Sequence, residues 1–239
     1  DAEARAEALA GVNVALLGPQ SFADSEARVA RSLYAVHSYA KLVLGYREHA
    51  AMLAHGMGQQ WSPRIRIPRV IQDLVELSTD RLDLLLRLAC NRRDLPREEL
   101  SAAATCLISV ALGRQLGLHR RALMDLGMSG FFFNFGRRLA ERPDDSASEI
   151  AAAMTFVLGS SRAKAGSYPR AMIVAEQQTA KGRRAHPYAR ILKVARAFTG
   201  RVCGWPDVQN RQMTPLMALS AMWQDRKQLD TQMIDLLAN

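Results

Sequence analysis

The residues of this chain whose types and spacing bear on chemistry are mostly amides and cations, not acids, histidines or thiols. Residues 128–138 read MSGFFFNFGRR, in which Phe131, Phe132, Phe133 and Phe135 surround the single amide of Asn134, and Gly136 and Arg137 follow. Farther on, Glu176, Gln177 and Gln178 stand in a row, and Arg190, Lys193 and Arg196 punctuate YARILKVARAF. Guanidinium forks suit phosphate oxygens, and glutamine amides suit phosphate and base edges. Arg137, Gln177, Gln178, Arg190, Lys193 and Arg196 are therefore the candidate set for a phosphate ligand. The helical period argues against three of them: Ile191, Val194, Phe198 and Val202 make one apolar side, and Arg190, Lys193 and Arg196 fall largely away from it, as a solvated face does.

Other chemistries find little footing. The chain has no GxSxG, P-loop, HExxH or GxGxxG motif. Cys90, Cys106 and Cys203 form no CxxC pair, lack a histidine nearby in sequence, and are odd in number, which gives neither a zinc knuckle nor a disulfide framework. That cysteine usage predicts a reducing, cytoplasmic setting. The five histidines, His37, His49, His55, His119 and His186, are scattered, and each reads as a surface or helix-packing residue.

The elements that must position the candidates are helices. Of 239 residues 49% are hydrophobic, enough for one large core or two small ones, and no run shows sustained β-branched alternation. The fold class is all-α. Residues 1–22 read as a tether or a short edge strand around GVNVALLG. A helical module spans 23–92, with Val29, Leu33, Val36, Tyr39 or Ala40, Val43 and Tyr46 as the inner face of its first helix. Its second helix, 69–90, carries Val70, Leu74, Leu77, Leu84, Leu85 and Leu88, interrupted at Arg81, so the two arms read as a hairpin. The remaining domain, 93–239, opens at Pro96 with Glu98 and Glu99 in the first turn. Gly117 stops that helix, and another runs from about Arg121 into the Phe cluster. Ser146 or Ser148 caps the next, GSSRAKAGSYPR is a loop, and helices follow over 171–180, 188–203 and from the Thr214-Pro215 cap.

Charge is unevenly placed. Between residues 150 and 206 ten Lys and Arg meet one acid, Glu176, and elsewhere twenty-two bases balance twenty-two acids, so the net +9 of the chain sits in one quarter of it. Such a field attracts polyanions. Aromatic interleaving is sparse and no recognition helix is identifiable, which disfavours nucleic acid as the partner. No apolar run is long enough to span a membrane, no signal peptide is evident, and the start at Asp1 suggests a piece of a longer protein.

Four stretches carry a family resemblance: SVALGRQLGL at 109–118, LGMSGFFFNFGRR at 126–138, YARILKVARAF at 188–198 and TPLMAL at 214–219. Over roughly residues 29–237 the chain resembles the HD-GYP branch of the HD phosphohydrolases, whose active members cleave cyclic di-GMP at a cluster of metal ions. The resemblance implies a helical HD-GYP-like domain preceded by the helical hairpin. It also implies that the ligand positions have lost their donors. The first His of the family is Ser101, the His-Asp pair is Phe133 and Asn134, and the Lys that follows is Arg137. The isolated His falls near Ile150. The His-His-Glu run maps onto Glu176, Gln177 and Gln178, with Lys181 and Gly182 at the spacing of the Asp-Gly. The Gly-Tyr-Pro signature is shortened to RRAHP, the late Asp is Arg196, and the substrate-contacting Arg-Pro-Tyr reads Trp205-Pro206-Asp207.

Phenylalanine offers no lone pair, and Arg196 puts a cation where a cluster of divalent ions needs an anion. What the resemblance implies is a pseudoenzyme without metal or other cofactor, serving as an interaction or scaffolding module with protein partners. Residues 25–90 are the expected surface for a homodimer. A receptor that holds a cyclic dinucleotide without cutting it is the alternative.

Overall fold

The computed structural model describes residues 19–54, 64–90, 96–141, 145–160, 164–176, 185–204 and 212–238. Among these there are eleven helices and no strand, which makes the fold all-α. They are α1 (Pro19–Ala54), α2 (Ile67–Leu77), α3 (Leu82–Ala89), α4 (Arg97–Gln115), α5 (Arg120–Phe133), α6 (Phe135–Leu139), α7 (Ser146–Ser160), α8 (Lys164–Ala175), α9 (Pro187–Cys203), α10 (Pro215–Gln224) and α11 (Thr231–Ala238). No helix among the described residues is long and apolar enough to cross a membrane.

The centre of the fold is α4. Every residue from Glu99 to Gly113 is buried, on all sides of the helix, and Ala102, Ala103, Ala104, Ser101, Ser109 and Gly113 keep its girth small. A helix with no polar face is a core helix. Neighbours come close to it: α5 and α9 pack along it, with α1 and α3 against its other sides. Gly130 of α5 sits where an added Cβ would lie 3.0 Å from the Thr105 carbonyl and 3.2 Å from the Cys106 Cα, so glycine sets that approach.

Several ends form as the local sequence dictates. Glu98 and Glu99 occupy the first turn of α4, and Gly117 after it takes φ 72°, a left-handed stop that costs glycine little. Thr214 accepts from the Met217 amide at 3.2 Å with Pro215 behind it, and Gly204 closes α9 in the left-handed region. His119 and His186 cap α5 and α9 through side chains that accept from Ala122 and Tyr188, so both are helix-end residues.

Other expectations are corrected. Pro19–Phe22, read as tether, already lies in α1, and residues 1–18 fall outside the described residues. The second arm of the hairpin is two helices: Thr79-Asp80-Arg81 turn the chain between α2 and α3, at the place where Arg81 interrupts the apolar face. The inner face of α1 matches the expected one at Tyr39, Val43 and Tyr46, which are buried, and departs from it toward the N-terminus. Ala35, Tyr39, Leu42, Tyr46 and Ala50 are buried, whereas Val29, Leu33 and Val36 are exposed. The helix carries two apolar stripes about 120° apart, and only one meets the core.

The residue ahead of α7 is Asp145, which accepts from the Ala147 amide at 3.1 Å, and Ser146 and Ser148, expected as its cap, already lie within the helix. Residues 164–170, expected as loop, belong to α8, which holds Pro169 inside it and ends at Ala175. Arg170 is fixed there by a 2.8 Å ion pair to Asp125 of α5.

One apolar cluster takes in buried residues of both 35–89 and 100–234. Tyr46 of α1 stacks on Phe135 with ring centroids 4.2 Å apart and meets Phe131 edge-on at 5.9 Å. Phe156 of α7 joins them at 5.1 Å from Phe135. Aromatic pairs at these separations add to simple burial.

Candidate functional site

The candidate site lies where the end of α5, the start of α4, the start of α7 and the middle of α9 meet. Phe133 is the last residue of α5, and its ring is buried. The guanidinium carbon of Arg196, on α9, stands 3.4 Å from the centre of that ring. This is a cation–π contact at close range. Arg196 therefore does not belong to a solvated face, as its helical phase suggests. It is half-buried as a residue, and burial of its charged end pulls the pKa down to about 10, against the opposing pull of Glu149. At neutral pH it stays a cation.

Glu149 is the acid of this cluster. It is buried in the first turn of α7, and its Oε1 lies 3.6 Å from Nη1 of Arg137. The approach of α6 to α7 depends on Gly136, because a Cβ there would collide with the Glu149 carbonyl and meet Ala153. Glu149 thus pairs with Arg137, and its charge also acts on Arg196 from a distant part of the chain.

Asn134 turns the chain from α5 into α6. Its Nδ2 donates to the Gly130 carbonyl at 3.1 Å, and its Oδ1 takes a long 3.5 Å contact from the Ser101 hydroxyl. Below Ser101, Thr105 donates to the Ser101 carbonyl at 2.7 Å and lies 2.8 Å from the Thr199 hydroxyl on α9. The Thr199 hydroxyl also lies 3.4 Å from the Arg196 carbonyl as its donor. This small chain of hydroxyls ties α4 to α9 one turn from Arg196.

A second polar group closes the α1 side. The Tyr46 hydroxyl donates to Glu98 at 2.6 Å and lies 3.3 Å from the Asn134 carbonyl. Arg138 holds the same carboxylate with both Nε and Nη2 at 2.5 Å. Burial, then the charge of Glu98, push the phenol well above its ordinary range. Next to it Arg47 grips Glu99 through two 2.9 Å bonds.

Among the sequence-expected residues, Ser101, Phe133, Asn134, Arg137 and Arg196 come together here, and Ile150 is buried one residue from Glu149. Glu176 lies just past α8 and accepts from the His186 amide at 2.5 Å. Arg190 is turned to α11, with Nη1 2.6 Å from Asp230, and its buried Nε has no hydrogen-bond partner. Lys193 is half-buried on the same helix. Gln177, Gln178, Lys181, Gly182 and Trp205-Pro206-Asp207 lie outside the described residues. Glu149, Glu98 and Tyr46 are the members that sequence reasoning missed. Their signals were weak: two acids in helix first turns, and a tyrosine on an apolar stripe.

The arrangement holds charge rather than moving protons. Arg196 lies against an aromatic face, Arg137 and Arg138 each face a carboxylate, and the hydroxyls of Ser101, Thr105 and Thr199 lead to the Asn134 amide, to backbone or to one another. Among the described residues no three His, Cys, Asp or Glu gather as a metal-holding group. Cys106 and Cys203 are buried, and burial raises both thiols, Cys203 to about 12, far from thiolate chemistry at neutral pH. No family model, curated protein or solved structure matches this chain.

Proposed function

We propose that this chain is a catalytically inactive HD-GYP-like domain that serves as a protein-interaction module in bacterial cyclic di-GMP signalling, in the cytoplasm. The observation that carries the reading is the contact of Arg196 with Phe133. The resemblance assigns these two positions to ligands of one metal cluster, an Asp and a His, and the two side chains touch. Ser101 and Asn134, assigned to two more ligands, are likewise neighbours.

Positions that belong to one former cluster would meet in this way. Their present side chains offer an aromatic ring, a guanidinium, an amide and a hydroxyl, which cannot replace the imidazoles and carboxylates that a pair of divalent ions needs. A vacated polar cavity is costly unless refilled, and a cation stacked on an aromatic ring refills it.

The test combines elemental analysis, hydrolysis of cyclic di-GMP with added Mn, and calorimetric titration with cyclic di-GMP. Sub-stoichiometric metal, no linear product and no micromolar binding are expected. Stoichiometric metal or product formation would sink the pseudoenzyme reading. Micromolar binding abolished by Arg196→Ala would replace the interaction module with a cyclic dinucleotide receptor.

A further inference from the structure

The helix α10 is apolar on both of its sides, and only one of them meets the body. Ala218 and Met222 are buried, and α10 packs on α9 and α11. On the other side Leu216, Met217 and Trp223 are 77%, 58% and 38% exposed. At the helical period Leu216 and Trp223 lie within about 20° of each other and roughly opposite the two buried residues, with Met217 on the flank. Ser220 and Gln224 complete the exposed surface, and the helix contains no acid.

Positive charge gathers at one end of this surface. Arg226 and Lys227 follow the helix directly and are exposed, and among the described residues neither makes an ion pair. The acids nearest to them in sequence are engaged, Asp225 with Arg201 and Asp230 with Arg190 at 2.6 Å. The Arg226 amide donates to the Trp223 carbonyl at 3.4 Å, so the cations begin one turn past the exposed indole.

We infer that α10 docks the protein on an anionic lipid surface, with Leu216, Met217 and Trp223 entering the boundary between headgroups and acyl chains and Arg226 and Lys227 lying against lipid phosphates. An apolar helix side flanked by uncompensated cations is what such a surface retains. Tryptophan suits the boundary, since its ring is apolar and its indole N–H needs a polar partner. Ten residues span about 15 Å, half of a hydrocarbon core, so the contact is peripheral.

The competing partners fit less well. Three large side chains fall well short of the roughly 800 Å² per partner of a stable protein interface, whereas a bilayer offers the same chemistry at every point. A nucleic acid would meet the two cations with phosphates and leave Leu216 and Met217 in water. The net charge of +9 draws the whole chain toward an anionic membrane and adds to the local contact. The pseudoenzyme reading turns on metal and cyclic di-GMP, and neither of those results moves with vesicle binding.

The experiment is flotation of the whole chain with vesicles of phosphatidylcholine alone or with about one-third phosphatidylglycerol, beside Leu216→Glu, Met217→Glu and the double variant Arg226→Gln/Lys227→Gln. All four positions are exposed, so circular dichroism should not change. Wild type should float with the anionic vesicles at about 1 mM lipid and stay behind with phosphatidylcholine. Each glutamate should weaken binding about tenfold or more, and removal of the two cations about thirtyfold. Brominated acyl chains should quench wild-type emission, and the quenching should be largely lost in Trp223→Phe.

A wild type that does not float with about 1 mM anionic lipid overturns the proposal. Undiminished flotation of Leu216→Glu overturns it too, because charge alone would then hold the protein, and so does quenching that survives Trp223→Phe. A dimer in sedimentation velocity that Leu216→Glu dissolves would give this side of α10 to a second copy of the chain and remove the lipid surface as its partner.

Discussion

Arg196 and Phe133, on different helices, are in face-to-cation contact, with 3.4 Å between the guanidinium carbon and the ring centre. The contact should appear as coupling. In a double-mutant cycle with Arg196→Met and Phe133→Leu, the interaction free energy read from urea unfolding should be about 1 kcal/mol. Zero coupling would mean that the two merely lie side by side.

The pH behaviour of Arg196 follows from its depressed pKa. Its folded value, about 10, lies below the ordinary 12.5, so between them the unfolded chain binds more protons and stability gains from this residue as pH rises. At neutral pH the charge is carried at a cost. Arg196→Met should therefore leave the melting temperature unchanged or raise it, because Glu149 keeps Arg137. A large loss of stability would show that the cation holds the cluster together.

Tyr46→Phe keeps the stack on Phe135 and removes only the hydroxyl that donates to Glu98. Glu98 keeps its two bonds from Arg138. The expected loss is about 1 kcal/mol, the ordinary worth of one hydrogen bond, measured by chemical denaturation.

Gly136→Ala tests the approach of α6 to α7. The new methyl would strike the Glu149 carbonyl, and backbone cannot swing aside as a flexible side chain does. Overpacking of this kind costs about 1–3 kcal/mol. The same shift should loosen the Arg137–Glu149 pair, so a Gly136→Ala protein as stable as wild type would show that the helices have room to spare.

His49 sits beside Phe132 and Phe135 with its Nδ1 2.7 Å from the Gly45 carbonyl. Burial lowers its pKa below the ordinary 6.5, with the Gly45 carbonyl and Glu48 opposing. Below 6.5 the unfolded chain takes up the proton first, so this residue withdraws stability as pH falls through 6.5 toward its folded value, and restores it as pH rises. His49→Leu should flatten that part of the stability profile, followed by thermal melts across the acid range.

The local devices of this fold are written in short stretches. Thr214-Pro215, Gly117 and the acids Glu98 and Glu99 each act within one turn, so their helix ends could be read from neighbouring residues alone. All-α composition is legible for the same reason, since the 3.6 period is a local property. The break at Arg81 was visible as a flaw in a stripe, but whether it bends or splits a helix depends on what packs on either side.

What the sequence by itself determined is the kind of residue at each position: no imidazole or carboxylate at 101, 133, 134 or 196, and two apolar stripes on the first long helix. Only the tertiary structure decided which stripe of α1 faces the core and that Arg196 leaves the solvated side to lie on Phe133. The helical phase of Arg196 points away from its own buried face, yet a long side chain can reach several ångströms along a neighbour. Its environment is thus set by where α5 ends, not by its position on α9. Glu149 likewise became the partner of Arg137, with its charge felt at Arg196, because Gly136 lets two helices touch, a meeting of distant residues that no local pattern encodes.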